Sequence, residues 1–334
     1  MIGYYVHHVG AGHLHRARAV ALRAEGTVTG LSSLPAPADW PGPWVRLVRD
    51  DCAPGAVDPT ARGNLHWVPE RDDGLCRRMA SLSSWIETAR PDVLVSDVSA
   101  EVALLARLHG VPVVSVVLPG RRGDRAHRSA YAVSSGLVAA WPREAVGMVH
   151  GLAQADARRL HHVGALSRWE TAGLDQRDPS RRRVLVLSGR GGGHPTETQL
   201  RAAAADAPDW SWTVLGGSGE WRDDPSLAID ASAVVVIQAG ESAVADVAAR
   251  RRPAVVVPAP RPFDEQRATG RALAAGQWPC RVEESFPVTG WSERLAEVAA
   301  LDGQAWAEWC DGRAADRLAE YLDSFSSRRQ RSIA

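Results

Sequence analysis

Lysine is absent from this chain of 334 residues; all 39 of its basic residues are arginine. Chemistry that needs an ε-amino group is thereby excluded: a lysine Schiff base, a pyridoxal phosphate anchor and a Walker-type phosphate loop. The usage itself fits a GC-rich coding sequence, which favours Arg, Ala, Gly and Pro. Cysteine is scarce as well. Cys52, Cys76, Cys280 and Cys310 are far apart and form no C-x-x-C pair, which argues against a structural zinc site or a disulfide scaffold and fits a reducing cytoplasm. Net charge is zero, so no global field recruits nucleic acid or an acidic membrane. Long apolar runs are missing too. The stretch 111–118 is far short of the roughly 20 residues that span a bilayer, and no basic-then-apolar leader opens the chain. A cytoplasmic protein with no stable membrane insertion is expected.

What is present reads as globular: 45% apolar and 23% charged residues, in a chain long enough for two domains. Short β-branched runs alternate with helical patterns, the mark of a parallel α/β sheet. Strands are expected at 3–9, 28–31, 44–48, 93–97, 111–118 and 136–141, with a further strand-like VGAL at 163–166. Helix stripes are marked by Leu14, Ala17, Ala21 and Leu22, and by Val102, Leu105, Ala106 and Leu108. Pro-rich 34–43 and the stretch 54–63 read as loops. Apolar periodicity lapses between 168 and 183 and then restarts, with strands at 184–188, 212–215, 233–237 and 253–257 and a helix from about residue 195. The arrangement expected is a first α/β domain at 1–167, a linker at 168–183, a second α/β domain at 184–312 and a closing segment at 313–334. Leu318, Tyr321, Leu322 and Phe325 give that segment a helical stripe, which suits a helix crossing back to the first domain or any ordinary terminal helix. Arginine runs at 181–183, 250–252 and 328–331 read as solvated ends or linkers, the middle one at a helix C-terminus where cations are favoured. Two successive doubly wound halves put the natural ligand site in the cleft between them.

The densest information lies at 234–277. A buried strand runs into Gly240, and Glu241 and Ser242 then open a helix with Val244, Val247 and Ala248 on one face. Free amides beside a positive helix end suit a phosphate. After the next strand, Asp264, Glu265 and Gln266 offer acceptors and a donor to sugar hydroxyls, so one module supplies a diphosphate seat and a sugar seat. A second phosphate candidate is SGRGGGHPTET at 188–198, where Gly191, Gly192 and Gly193 expose amides and Arg190 or His194 adds charge; a flexible loop is the alternative. At the other end of the chain, strand one leads into Gly10 and Gly12, then His13 on a helix start. The dinucleotide G-x-G-x-x-G spacing fails because residue 15 is His. Asp97, ending VLVSD, is expected on the same sheet edge as His13, either orienting its ring or capping the following helix. A metal site made from His7, His8, His13 and His15 is disfavoured: neighbouring strand residues point to opposite faces, and no carboxylate partner is local.

The C-terminal module resembles the donor-binding half of GT-B nucleotide-sugar glycosyltransferases, especially the family that adds N-acetylglucosamine to the lipid-linked peptidoglycan precursor. It is also similar to plant and antibiotic-tailoring transferases, which end this region in an acid followed by Gln. The resemblance implies two Rossmann-like domains facing a cleft and inverting transfer from a UDP- or dTDP-sugar, with no cofactor beyond that co-substrate and no metal. It further implies that Gly240, Glu241, Ser242 and Ala243, together with 191–194, hold the diphosphate. Asp246 would take the ribose, Trp221 and Arg222 would lie near the base, and Asp264, Glu265 and Gln266 would meet the sugar. His13 would be the general base with Asp97 behind it, or else a phosphate contact. Acceptor-side loops would be 34–43, 52–67 and 120–131; RRGDRAHRSAY in the last reads as an anion site or a solvated helix face. The acceptor itself, a small molecule or a lipid-linked one, is not legible; a lipid-linked one would bring the protein to the inner face of the membrane. One departure is Gln238, where many relatives carry His two residues before the glycine.

Other readings remain open at this point. Nucleotide-sugar hydrolases of the same fold share the G-x-G-H-x-x-R turn that Gly10, Gly12, His13 and Arg16 match, and sugar 2-epimerases share the fold. The loss of His at Gln238 leaves room for a non-catalytic nucleotide-sugar binding subunit.

Overall fold

A computed structural model describes residues 1–52, 55–173 and 182–333, with side chains through residue 327. Pro54, at the head of the expected 54–63 loop, residues 174–181 of the expected linker, Arg181 among them, and the side chains of the 328–331 run lie outside the described residues.

Two parallel sheets follow the two alternating stretches. The first half supplies β1 (Ile2–Val6), β2 (Val28–Ser32), β3 (Trp44–Arg46), β4 (Val93–Asp97), β5 (Val113–Val117), β6 (Gly120–Arg121), β7 (Gly136–Ala139), β8 (Val149–His150) and β9 (Leu160–His162). Of these, β6 and β8 form a separate short ladder, and the other seven run in the order β3-β2-β1-β4-β5-β7-β9. The second half supplies β10 (Arg183–Leu187), β11 (Ser211–Leu215), β12 (Val234–Ile237), β13 (Ala254–Val256) and β14 (Cys280–Val282), in the order β11-β10-β12-β13-β14. In each sheet the chain first winds one way and then the other. The reversal falls between β1 and β4, which pair with Val6 opposite Asp97, and between β10 and β12, which pair with Leu187 opposite Ile237. A crevice opens at the carboxyl ends of strands at such a reversal. His13 and Asp97 follow the first pair; the glycine run and Gly240 follow the second.

The helices are α1 (Ala11–Ala21), α2 (Asp73–Ala89), α3 (Ala100–Leu108), α4 (Arg125–Val133), α5 (Gln154–Arg158), α6 (Glu197–Asp206), α7 (Ser226–Asp230), α8 (Glu241–Ala249), α9 (Glu265–Ala275), α10 (Trp291–Ala299) and α11 (Ala314–Ile333). Their starts follow local chemistry. Asp72, Ser99, Asp124 and Thr196 each accept from a first-turn amide, and Thr196 with Gln199 completes a capping box one residue after Pro195. Two expected stripe residues face out: Leu22 is 43% exposed and Leu108 85%, while Val20 and Ala103 take the core positions. Leu318, Leu322 and Phe325 of α11 are buried against Ala17 and Val20 of α1 and the valines of the first sheet. Each fully buried leucine of that kind contributes on the order of 2 kcal/mol.

Several boundaries differ from expectation. Strand β1 ends at Val6, and beyond it the rings of His7 and His8 stack at 4.9 Å, so the two histidines do not point to opposite faces of a strand. VGAL is not a strand; the edge strand is the LHH before it, the Val163 amide closes its ladder on Ala139, and Ala165 then bonds the Trp309 carbonyl instead of the sheet. The 250–252 arginines are not a solvated end. Arg251 and Arg252 are buried, and Arg251 donates to the carbonyls of Ala248 and Cys310 while Arg250 pairs with Asp230.

Candidate functional site

His13 stands in the first turn of α1, and Asp97 is the last residue of β4, fully enclosed. Their side chains meet, Nδ1 to Oδ1, at 2.9 Å. Arg16, one turn along α1, donates to the same oxygen at 3.2 Å, and Tyr4 donates to Oδ2 at 3.4 Å. Burial by itself would raise the pKa of Asp97, yet Arg16 and His13 hold the carboxyl below its usual value, so the acid is a fixed negative charge. The helix after β4 is capped by Ser99, which overturns the capping alternative for Asp97. Between the two stands Val98 with φ 87, a conformation that a β-branched residue adopts only at a cost. The strain turns the chain sharply at the carboxyl end of β4 and leaves Asp97 beside His13.

The two halves meet at this edge. A Cβ placed on Gly12 would stand 2.7 Å from Ser242 Oγ, so the starts of α1 and α8 are in contact and their positive ends converge. Arg16 spans the contact, with Glu241 of α8 at 3.5 Å. Burial pushes the Glu241 carboxyl up despite Arg16, and its Oε1 has no partner among the described residues. Across the second sheet's reversal, Gly192 and Gly193 take positive φ, and the Gly192 carbonyl accepts from Gln238 at 2.9 Å and Arg261 at 2.8 Å. Gln238 therefore holds the glycine loop. His194 packs on Gly217.

The residues expected around a nucleoside are not all free to receive one. Asp246 is buried, with Ser167 Oγ donating to one oxygen at 2.8 Å and Arg168 to the other at 3.2 Å. Arg168 also bonds the Asp223 carbonyl, and the space between the halves here, lined by Gly12, Arg16, Arg168, Ser242 and Asp246, holds only about 20 Å³. Trp221 is 47% exposed, but the Arg190 guanidinium lies 4.3 Å from its ring centroid, and Arg222 pairs with Glu220. A wider opening of about 780 Å³ lies on the other flank of the glycine loop, beside His194, Gln238 and Arg267; Trp221, Arg222 and Asp246 do not line it.

The acid-and-amide segment is tightly built. Phe263 and Asp264 both take left-handed backbone angles, φ 58 and φ 57. Gln266 Oε1 accepts from the Ala259 amide at 2.8 Å. Asp264 pairs with Arg121 at 3.0 Å, and Glu265 accepts from Arg122 at 2.5 Å.

No protein-family model matches the chain, and no curated protein does. Solved structures match over nearly the whole length of both chains. MurG of Acinetobacter baumannii aligns with 16% identity and a TM-score of 0.61, covering 97% of this chain and 99% of that one. The spinosyn rhamnosyltransferase SpnG aligns with 17% identity and a TM-score of 0.60, covering all of both chains. A UDP-glucosyltransferase from Polygonum tinctorium gives 13% identity and a TM-score of 0.65, over 97% of this chain and 98% of that one. The fold is GT-B. Identities this low establish the architecture alone, so the chemistry rests on this chain's own side chains.

Among the described residues, Arg16, Arg121, Arg122 and Arg168 contact acids of the second half that the sequence did not connect to them, Glu241, Asp264, Glu265 and Asp246 respectively. The RRGDRAHRSAY segment is a solvated face only in part, with Arg121, Arg125, Arg128 and Ser129 exposed. Arg122 and His127 are buried at 1% and 6% exposure, and Arg122 turns toward the second half. No local signal marks this, because the partner acid lies 143 residues away in sequence.

Among the described residues, two clusters bring potential metal-ligating atoms within 4.8 Å: His66 with Asp124 and His127, and His8 with Asp50 and Asp51. The second corrects the expectation that no carboxylate stands near the N-terminal histidines, since His8 Nε2 lies 3.1 Å from Asp51. In both the donors are already engaged. Asp51 takes two bonds from Arg49, while Asp124 takes the His127 amide and both imidazoles. Neither is assigned a metal. No helix among the described residues is long and apolar enough to cross a membrane.

Proposed function

We propose that the protein transfers a sugar from a nucleoside-diphosphate sugar to an acceptor hydroxyl with inversion, using His13 as general base. The observation that carries this reading is the contact of His13 Nδ1 with enclosed Asp97 at 2.9 Å, at the reversal of the first sheet and facing the start of α8. With Asp97 accepting from Nδ1–H, Nε2 is left as the acceptor nitrogen, and it makes no hydrogen bond among the described residues. It takes the acceptor's O–H proton as that oxygen bonds to the anomeric carbon. The bond from that carbon to the diphosphate oxygen breaks, and the electron pair leaves with the nucleoside diphosphate. Charge on the departing diphosphate falls near the first-turn amides of α8 and near Arg16. The GT-B neighbours support a nucleotide-sugar donor: one is a UDP-glucosyltransferase, and a SpnG complex holds thymidine diphosphate, at 16% identity and a TM-score of 0.56 over 99% of this chain and all of that one. UDP or dTDP is therefore the donor nucleotide we assign, with a cytoplasmic location.

A second reading is favoured by one observation. Arg16, the residue that completes the hydrolase-like G-x-G-H-x-x-R turn, bonds the same Asp97 oxygen as His13. Water then replaces the acceptor and free sugar is released.

A thermal-shift screen with UDP, dTDP, GDP, ADP, NAD and coenzyme A, followed by calorimetry, tests the donor. A selective rise with UDP or dTDP is expected; a response to NAD alone, or none to any nucleoside diphosphate, overturns the reading. Nucleotide release from a sugar nucleotide without acceptor distinguishes hydrolysis from transfer.

A further inference from the structure

We infer that Arg122 is a positioning residue that fixes Glu265, the acid expected to face the donor sugar, relative to the half of the molecule that carries His13. The inference rests on the transfer reading for what Glu265 does, and on geometry alone for what Arg122 does.

Arg122 follows β6 in the first half, and its guanidinium is bonded on every side. Nε donates to the carbonyls of Leu118 and Pro119, both at 3.2 Å, and Nη2 donates to Pro119 again at 2.8 Å. Nη1 lies 3.1 Å from His127 Nε2. Burial lowers the pKa of His127 to about 4, against its bond to Asp124, so the ring is neutral and Nε2 is free to accept once Nδ1–H is directed at Asp124. The Phe263 ring lies 4.7 Å from the guanidinium carbon. What remains of Nη2 points across the interface to Glu265 Oε1 at 2.5 Å. A charge this enclosed and this fully bonded has a fixed direction, unlike a solvated ion pair.

The backbone beside it is equally constrained. Gly120, at φ 99, comes so close to the second half that a Cβ there would lie 2.2 Å from the Phe263 carbonyl and 3.0 Å from the Glu265 amide. Arg121 takes Asp264 at 3.0 Å, so consecutive arginines of one half hold consecutive acids of the other. Phe263 and Asp264 keep their left-handed angles within this contact. The result for Glu265 is specific. One of its oxygens belongs to Arg122, and the other is left for a ligand. Transfer needs the donor's anomeric carbon held in line with the His13 side, and Arg122 is the bonded connection between the two.

The test uses the full chain and the variants R122K, R122A, E265A and R122A/E265A. Hydrogen exchange should rise at least tenfold over residues 263–268 in R122A and in E265A, with R122K recovering part of the protection. UDP and dTDP affinity should stay within threefold of the parent, because Arg122 does not touch the nucleotide seat. With UDP-glucose, UDP-N-acetylglucosamine and dTDP-glucose as probes, kcat should fall at least thirtyfold in R122A against a small change in KM. In the E265A background, R122A should add less than twofold. Unchanged exchange at 263–268, or rate losses that multiply independently, overturns the inference. If R122A does not accumulate folded, E265A breaks the same pair from the other side and the exchange measurement stands. Failure of every nucleotide to bind the parent protein would sink the transfer reading, while the exchange arm would still decide whether Arg122 fixes Glu265.

Discussion

Asp97→Asn is the sharpest probe of the proposed base, because the structure accommodates the amide. His13 and Arg16 both bond Oδ1, which an asparagine oxygen replaces, while Oδ2 faces only the Tyr4 hydroxyl, whose oxygen can accept from an amide. The exchange therefore keeps the hydrogen-bond pattern and the His13 tautomer and removes one charge. With charge centres ~4 Å apart and an effective dielectric near 20, the lost attraction for the imidazolium formed on proton uptake is about 4 kcal/mol. At about 1.4 kcal/mol per decade, nucleotide release from the sugar nucleotide should fall by about 10²- to 10³-fold. Arg16 keeps Glu241 at 3.5 Å, so the stability cost should fall near the low end for breaking a buried pair, about 3 kcal/mol. The carboxyl's pKa is depressed in the fold, so its stabilising contribution is present above the unfolded value of about 3.9 and is lost as pH falls through the folded value. The stability gap between parent and variant should accordingly close below about pH 4. Rates are measured by coupled nucleotide release from pH 5 to 9, and stability by denaturant titration. A folded Asp97→Asn variant within threefold of the parent rate refutes the dyad.

The remaining outcomes are read by calorimetry or unfolding. Asp246→Ala should weaken UDP or dTDP affinity by ~1–3 kcal/mol; unchanged affinity removes the ribose assignment. Glu241 has a raised pKa because it is buried, so the fold binds its proton more tightly than the unfolded chain and stability declines as pH rises from about 4.3 through the folded value. Glu241→Gln should abolish that decline and tighten nucleoside-diphosphate binding more at pH 8 than at pH 5; a pH-independent effect contradicts it. Gly136→Ala puts a Cβ 2.1 Å from the Tyr321 hydroxyl of α11 and should cost about 1–3 kcal/mol of overpacking. In a Tyr321→Ala background that cost should largely vanish, and an undiminished cost places the strain elsewhere.

Much of the architecture was legible because period and punctuation coincide. Parallel strands buried on both faces read as valine runs, and the glycines at 10, 12 and 240 mark the turns out of them. The His13 and Asp97 contact was legible for the same reason, since Asp97 ends β4 and His13 lies in the first turn of the helix that follows the adjacent parallel strand β1. What failed was decided by contacts between distant segments. Leu22 and Leu108 fit a helical stripe but stand at the last turn, beyond the sheet they were assigned to cover. Strand β14 is three residues after a proline and has no periodicity to detect. The role of Gln238 was invisible because its partner is a backbone carbonyl of the glycine loop, which carries no side-chain signature.

A net charge of zero conceals a polarised interface. Four acids of the second half each meet an arginine from the first half or from the segment that leaves it: Glu241 with Arg16, Asp246 with Arg168, Asp264 with Arg121 and Glu265 with Arg122. Two of these pairs line the narrow space where the proposed nucleoside diphosphate would sit, and two hold residues 264 and 265 outside it. An entering diphosphate cannot add its charge to Glu241 and Asp246 without their arginines changing partner. It then receives those same guanidiniums, so one set of ion pairs replaces another in similar surroundings and the net Coulomb gain is small. Affinity has to come from the contacts that are new, at the base and at the sugar. The second kind depends on Glu265 already standing in place, and that is the pair whose arginine is sealed at 1% exposure.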